Sequence, residues 1–164
     1  MKPRIAIAAL SLSAAAFAGI LTREGFSPQA YPDPTRGESL PTLGFGSTSG
    51  VRMGDTITPV AAINRSLREV TEFEGAVKQC VHVPLYQAEY DAYLALAHNI
   101  GPVRFCDSTI AKRLNAEDYR GACEAILLFK YSNGHDCSRP GNRICPGLWT
   151  DRQRVYQQCM SAQQ

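Results

Sequence analysis

Two acidic side chains, Glu24 and Asp33, are separated by eight residues and are followed by the turn-forming run Thr42-Leu43-Gly44-Phe45-Gly46. Paired carboxylates in different environments can do two jobs at once. One stays protonated and donates to a leaving oxygen; the other stays ionised and activates water or steadies developing positive charge. Cleavage of a glycosidic bond requires both. Glu38 and Asp55, the other acids of this stretch, read as solvated loop charges. Spacing alone defines no enzyme, so the elements that must position these groups carry the next part of the argument.

From Gly25 to Ile57 the chain is dense in Gly, Pro, Ser and Thr and has no helical periodicity, which predicts short strands and tight turns. Gly44 and Gly46 suit a close approach of the backbone to a ligand. Thr58-Pro59 predicts a helix start, with Thr as N-cap and Pro in the first turn. Ile63, Leu67, Val70, Phe73 and Val77 then recur at helical spacing and are expected to face the core. Ala88 to His98 reads as a largely buried helix. His98-Asn99-Ile100-Gly101 ends it, in the simplest reading as a turn that needs Asn and Gly at positive φ. Asp107 or Ser108 caps the following helix, Cys123 to Lys130 is expected as a buried helix, and Ser132 to Asp136 as a turn.

Length and composition narrow the class. With 164 residues the chain makes one compact domain, or one domain of two small lobes. A net charge of +2 leaves no nucleic-acid footprint. All six cysteines (Cys80, Cys106, Cys123, Cys137, Cys145 and Cys159) lie from position 80 onward, and none forms a CxxC pair. That argues against zinc ribbons and thioredoxin-like sites and for up to three disulfides in an oxidising compartment. His82 and His98 have no acidic or cysteine companions at ligand spacing, so neither a metal nor a cofactor is expected. Cys137 and Cys145 flank a short Pro-Gly loop and are expected to close it. For the rest the expectation is Cys80 with Cys106 and Cys123 with Cys159, one of the fifteen connectivities that six cysteines allow.

The N-terminal segment bears on compartment. Lys2 and Arg4 precede an uncharged run from Ile5 to Leu21, 17 residues long and at the lower limit for a membrane-spanning helix. The preceding basic residues predict a cytoplasmic N-terminus with the rest outside. Only Ile5, Ile7, Leu10, Leu12, Phe17, Ile20 and Leu21 are strongly apolar. Insertion therefore gains roughly 2–4 kcal/mol before the costs of Ser11, Ser13 and Gly19, enough to enter a bilayer and weak enough to leave it. A cleaved signal peptide is the competing reading, with Ala14-Ala15-Ala16 or Ala16-Phe17-Ala18 as the cleavage site.

Taken together, Glu24-Gly25, Tyr31-x-Asp33 and Thr42-x-Gly44-x-Gly46 resemble the catalytic pattern of the phage-type lysozymes, glycoside hydrolase family 24. Asn99-x-Gly101, the run from Arg113 to Tyr119, Gly147-Leu148 and the Arg-rich stretch Arg152-Gln153-Arg154 extend the resemblance over residues 22–164. It implies an α+β, lysozyme-like fold: a weakly hydrophobic signal-anchor-release segment at 1–21, a small β-rich catalytic lobe at 22–57 and a larger helical lobe at 58–164, joined by a long helix. It also implies an endolysin that hydrolyses peptidoglycan, with Glu24 as general acid, its pKa raised by burial at the end of a helix. Asp33 is the ionised partner, and Thr42 positions water. Asn99 lines the saccharide groove and Ser108 is a second candidate substrate contact. The family includes members with a weak, releasable anchor, and residues 5–21 resemble one. A helix rebuilt from these residues would carry Glu24, and cleavage after Ala18 would leave too few residues to make it. The implied partners are bacterial peptidoglycan, the inner membrane through residues 5–21 before release, and a holin or pinholin as trigger. The active form is expected to be a periplasmic monomer.

Two departures from the family pattern stand out. Eight residues separate Asp33 from Thr42 where the family's usual gap is five, which predicts a hairpin loop lengthened around Gly37-Glu38-Ser39. Ser47 stands where many members have His, so a partner for that His is not expected. Three alternatives are a lytic transglycosylase, which would not need Asp33 and Thr42, a catalytically dead wall-binding module and a membrane-anchored structural protein.

Overall fold

A computed structural model describes residues 3–33 and 37–163; Lys2 and the side chain of Glu38 lie outside the described residues. The chain divides into two compact units, Ala14–Glu72 and Met1–Ser13 with Phe73–Gln164.

The first unit opens with α1 (Ala14–Glu24), whose alanines favour helix and which ends where Gly25 adopts φ 70° and donates to the Leu21 carbonyl at 3.1 Å. The helix begins nine residues later than Ile5. Ile5 instead pairs with Leu85, and Ile7–Ala9 make one 3-10 turn. Two strands follow, β1 (Ser27–Asp33) and β2 (Gly37–Gly44), paired antiparallel with Tyr31 opposite Thr42 and Pro32 opposite Pro41. The next pair is Asp33 with Gly37, so residues 38–40 have no counterpart on β1. The lengthening expected as a loop at Gly37-Glu38-Ser39 is thus a bulge inside β2. A bulge takes up extra residues while leaving the pairing on either side intact, so Thr42 stays paired opposite Tyr31. A second irregularity in β1 turns Pro28–Ala30 toward residues 55–57, with Ile57 N–H to the Pro28 carbonyl at 3.0 Å and Ala30 N–H to the Asp55 carbonyl at 2.9 Å. Asp55 is more than a solvated charge: its carboxylate accepts the Arg52 N–H at 2.8 Å and closes the preceding turn.

Helix α2 (Pro59–Cys80) starts as its sequence predicts, with Thr58 Oγ1 accepting the Ala61 N–H at 3.3 Å. Its buried face follows the expected stripe only in part. Val70 and Val77 are buried as expected, together with Ala62 and Ser66, whereas Ile63 and Leu67 are 39% and 49% exposed. The cause is close approach: a Cβ on Gly44 would lie 3.0 Å from Ala62 Cβ, so small residues mark the contact and larger ones face out.

In the second unit α3 (Gln87–Ile100) begins with a reciprocal cap in which Glu89 accepts the Tyr86 N–H at 2.7 Å, and it ends at Gly101, φ 90°. Asn99 is still helical, so only the glycine takes the left-handed conformation. The short helices α4 (Pro102–Cys106), α5 (Thr109–Asn115) and α6 (Tyr119–Ala125) follow. A 3-10 turn, Ile126–Leu128, ends the stretch expected to be helical through Lys130. Strands β3 (Tyr131–Ser132) and β4 (His135–Asp136) make a hairpin over Asn133-Gly134, both at positive φ, and α7 (Pro146–Ser161) closes the chain. Tyr90, Tyr93, Phe105, Ile110, Leu114 and Ile126 form the core, which Ile7 and Leu10 of the N-terminal segment join. Disulfides link Cys80–Cys106, Cys123–Cys159 and Cys137–Cys145. Among the described residues no helix is long and apolar enough to cross a membrane.

Candidate active site

Glu24, Asp33 and Thr42 all belong to the first unit, and local chemistry sets each one. Glu24 is the last residue of α1, held at the turn that Gly25 makes. Asp33 ends β1, and Thr42 lies on β2 opposite Tyr31. The Tyr31 phenol is pushed above its ordinary range, first by burial and then by the negative charges of Glu24 and Asp33. One phenol feels both charges only where the three groups are close, because Coulomb energy falls with distance and solvent screens what remains. Tyr31 entered the motif Tyr31-x-Asp33 without a role of its own, and it is the neighbour that the two carboxylates share.

The glycine turn lies directly against Glu24. A Cβ on Gly46 would come within 2.9 Å of Glu24 Oε2 and 3.3 Å of its Cδ, and Gly46 sits at φ +83°. Only glycine leaves room for the carboxylate there. Phe45, inside this turn, packs at a tilt against Phe26, with 5.3 Å between ring centres. Ser47, the position that departs from the family's His, does find a carboxylate: its hydroxyl donates to Glu69 Oε2 at 2.8 Å. Glu69 also accepts Arg65 Nε at 3.2 Å, and the same guanidinium reaches the Ser49 carbonyl. This network ties the residues after the glycine turn to α2. No local signal announced it, because Ser47 and Glu69 are 22 positions apart.

Glu24 itself is exposed, against the expected burial. A glutamate at the last turn of a surface helix, beside a glycine without a side chain, has little protein to cover it. Thr42 is the opposite case. It is 5% exposed, and among the described residues its hydroxyl has no hydrogen-bond partner. A buried hydroxyl left unpaired costs on the order of 1–3 kcal/mol.

Asn99 and Ser108 belong to the second unit. Asn99 is exposed and accepts a hydrogen bond from the buried Arg152, which also donates to the Phe129 carbonyl at 3.0 Å and to Asp151 at 2.8 Å. Asn99, Arg104, Phe129, Tyr131 and Arg152 are among the residues lining a cavity of about 260 Å³. Ser108 turns to the backbone: it accepts the Ile110 and Ala111 N–H groups at 3.2 and 3.3 Å and donates to the Phe105 carbonyl at 2.6 Å. Among the described residues, no cluster of His, Cys, Asp and Glu could hold a metal ion.

A two-stranded sheet with a carboxylate at the preceding helix end and another on its first strand is the arrangement expected of a lysozyme-type glycoside hydrolase. Comparison with known proteins gives the family. Residues 22–154 match the model described as phage lysozyme, and the chain belongs to that family. The SAR-endolysin of Pseudomonas phage phiKMV is 34% identical over 149 residues, covering 90% of this chain and 87% of that protein. The endolysin of Salmonella phage P22 is 38% identical over 112 residues, 65% of this chain and 75% of that one. The solved structure of an endolysin from Escherichia coli O157:H7 phage FAHEc1 superposes with a TM-score of 0.76 at 30% identity, covering 93% and 94% of the two chains. The fold is α+β and lysozyme-like, and the chain is a phage endolysin of the peptidoglycan-hydrolysing lysozyme class. These likenesses disfavour the transglycosylase, the inert wall-binding module and the structural protein.

Proposed function

We propose that this endolysin hydrolyses the β-1,4 bond between N-acetylmuramic acid and N-acetylglucosamine, with Glu24, Asp33 and Thr42 as its chemical groups. The unpaired, buried hydroxyl of Thr42 carries this reading. A water bound to that hydroxyl satisfies it, and Asp33, on the partner strand, is the carboxylate that activates or orients such a water. Glu24 donates the proton to the leaving oxygen. Its exposure in the free chain means that the saccharide, by covering it, supplies the desolvation that favours the protonated acid. Attack by a held water on the face opposite the leaving group inverts the anomeric centre and calls for carboxyls about 6.5–9.5 Å apart. Asn99 contributes a further saccharide contact from the rim of its cavity. Turbidity loss of permeabilised cells, with product analysis, tests the assignment. Glu24→Gln should lose at least about 10²-fold in rate while still sedimenting with cell walls. The products should carry reducing ends and no anhydro sugar; an anhydro product, or full activity in the variant, would sink the scheme.

Residues 5–21 serve in this reading as a releasable membrane anchor. The chain sits first in the host inner membrane with its N-terminus cytoplasmic and its catalytic part periplasmic. It then becomes a soluble periplasmic monomer when a holin or pinholin collapses the membrane potential. The packing of Ile7 and Leu10 into the core supports a segment that is kept and reused rather than cleaved. Intact mass of the periplasmic protein, with lysis followed on depolarisation, tests it. A full-length mass with activity only after depolarisation agrees with an anchor; a mass starting near Gly19, with activity independent of potential, refutes it.

A further inference from the structure

Residues 4–13 form a strap on the helical unit, and polar contacts fix it along its length. Ile5 and Leu85 exchange backbone hydrogen bonds of 2.8 Å in each direction. Lys78 Nζ donates to the Leu10 carbonyl at 2.6 Å and Gln87 to the Ser11 carbonyl at 2.8 Å. The N–H groups of Leu12 and Ser13 end on the carboxylates of Glu74 and Asp91 at 2.8 and 3.0 Å. At the outer end of the strap Arg4 does more than pack. Its Nε and Nη2 fork onto the two oxygens of Glu89 at 3.2 and 3.0 Å, and Nη2 also reaches Gln163 Oε1 at 3.0 Å. The guanidinium carbon lies 4.3 Å from the centre of the Tyr86 ring and 3.6 Å from that of Tyr119. Glu89 is fully buried, and among the described residues Arg4 is its only cationic partner.

We propose that Tyr86, Glu89, Tyr119 and Gln163 form a guanidinium-binding site whose ligand is Arg4 of the chain's own N-terminal segment, and that filling this site commits the helical unit to its folded, released form. The regulatory half of this statement rests on the reading of residues 5–21 as a releasable anchor. A planar cation between two aromatic faces, forked onto a carboxylate, is the geometry that suits arginine and not lysine. A carboxylate buried without a counter-charge is among the costliest groups a core can hold. Arg4 precedes the apolar run and Glu89 follows it. While that run spans a bilayer, the two lie on opposite sides, so Glu89 is left without its partner. Release carries Arg4 across and completes the pair. The anchor thereby holds back the core of the helical unit as well as the helix bearing Glu24.

The test is a double-mutant cycle on the full-length chain in solution, read by thermal unfolding at neutral pH. Arg4→Met should lower Tm by about 10 °C, since it strands a buried charge. Glu89→Gln keeps the helix cap, and adding Arg4→Met to it should cost only a few degrees more. Strictly additive costs overturn the site. If Arg4→Met alone does not fold, recovery of folding in the double variant supports the site, and failure of the double variant while Glu89→Gln alone folds overturns it. Arg4→Lys, which keeps the charge without the fork, should fall between wild type and Arg4→Met. Fractionation of cells after depolarisation tests the second half. Arg4→Met removes a positive charge that must cross the bilayer, so a simple anchor would leave faster. The latch requires several-fold less released, active chain instead. Equal or faster release overturns the regulatory half. A wild-type chain that never enters the membrane fraction overturns the anchor reading and that half with it, whereas the coupling between Arg4 and Glu89 is decided by the soluble chain alone.

Discussion

Gly46→Ala separates the chemistry of this site from its stability. At Gly46 the backbone sits at φ +83°, and an added methyl would stand 2.9 Å from Glu24 Oε2 and 3.3 Å from Cδ. The left-handed conformation costs an alanine about 1–2 kcal/mol, which lowers Tm by roughly 2–8 °C in a chain of this size. The steric conflict adds little to that, because the displaced atoms are the end of a flexible, exposed side chain. For catalysis the displacement matters: a carboxylate moved by about 1 Å costs on the order of 10²-fold in rate. Gly50→Ala is the matched control, at φ +69° with nothing within 4 Å of the added carbon. Both variants should lose similar Tm by calorimetry. In a cell-wall turbidity assay at saturating substrate, only Gly46→Ala should lose about 10²-fold in kcat. Equal activities for the two variants would refute the argument that Gly46 exists to seat Glu24.

Three other outcomes follow from the same structure. Thr42→Val keeps the shape of a buried side chain and removes its unpaired hydroxyl; Tm should rise by a few degrees while the turnover rate drops about 10²-fold, measured on one preparation. Removal of disulfides by paired Cys→Ala changes should destabilise in order of loop length: about 3.8 kcal/mol for Cys123–Cys159, about 3.5 for Cys80–Cys106 and about 2.5 for Cys137–Cys145, from separations of 36, 26 and 8 residues, by denaturant unfolding. Asp136 accepts hydrogen bonds from the Ser138 hydroxyl and N–H and from Lys130, which hold its pKa down at about 2. Its stabilising contribution is therefore complete above the ordinary carboxylate value of about 4 and is lost as pH falls through about 2. The Tm difference between wild type and Asp136→Asn should be constant at neutral pH and shrink across that window.

Several features of the site were legible because they depend on neighbours in the chain. Glu24 before Gly25, Tyr31 and Asp33 on one strand, and Thr42 ahead of Gly44 and Gly46 are all placed by a helix end, a strand and turns that short segments encode. Features that depend on the approach of distant segments were not legible. The heavier residues Ile63 and Leu67 mark the apolar stripe of α2 in sequence, yet Ala62 and Ser66 are buried there instead, because Gly44 comes so near. Ser47 stands where many family members have His, and its partner Glu69 lies 22 positions further along the chain. The extra residues between Asp33 and Thr42 read as loop and became a bulge, since pairing on either side was worth keeping.

The sequence by itself determined the family, through its motif pattern, and most of the order of helices and strands, and it singled out Glu24 and Asp33 as the candidate carboxylates, because these follow from residue type and short-range spacing. Tertiary structure decided the surroundings of each group. It left Glu24 exposed and Thr42 buried without a partner, turned Ser108 to the backbone, started the first helix at Ala14 and set Arg4 against Glu89 across 85 positions. Burial and partnership are properties of what packs nearby, and residues far apart in the chain supply most of that.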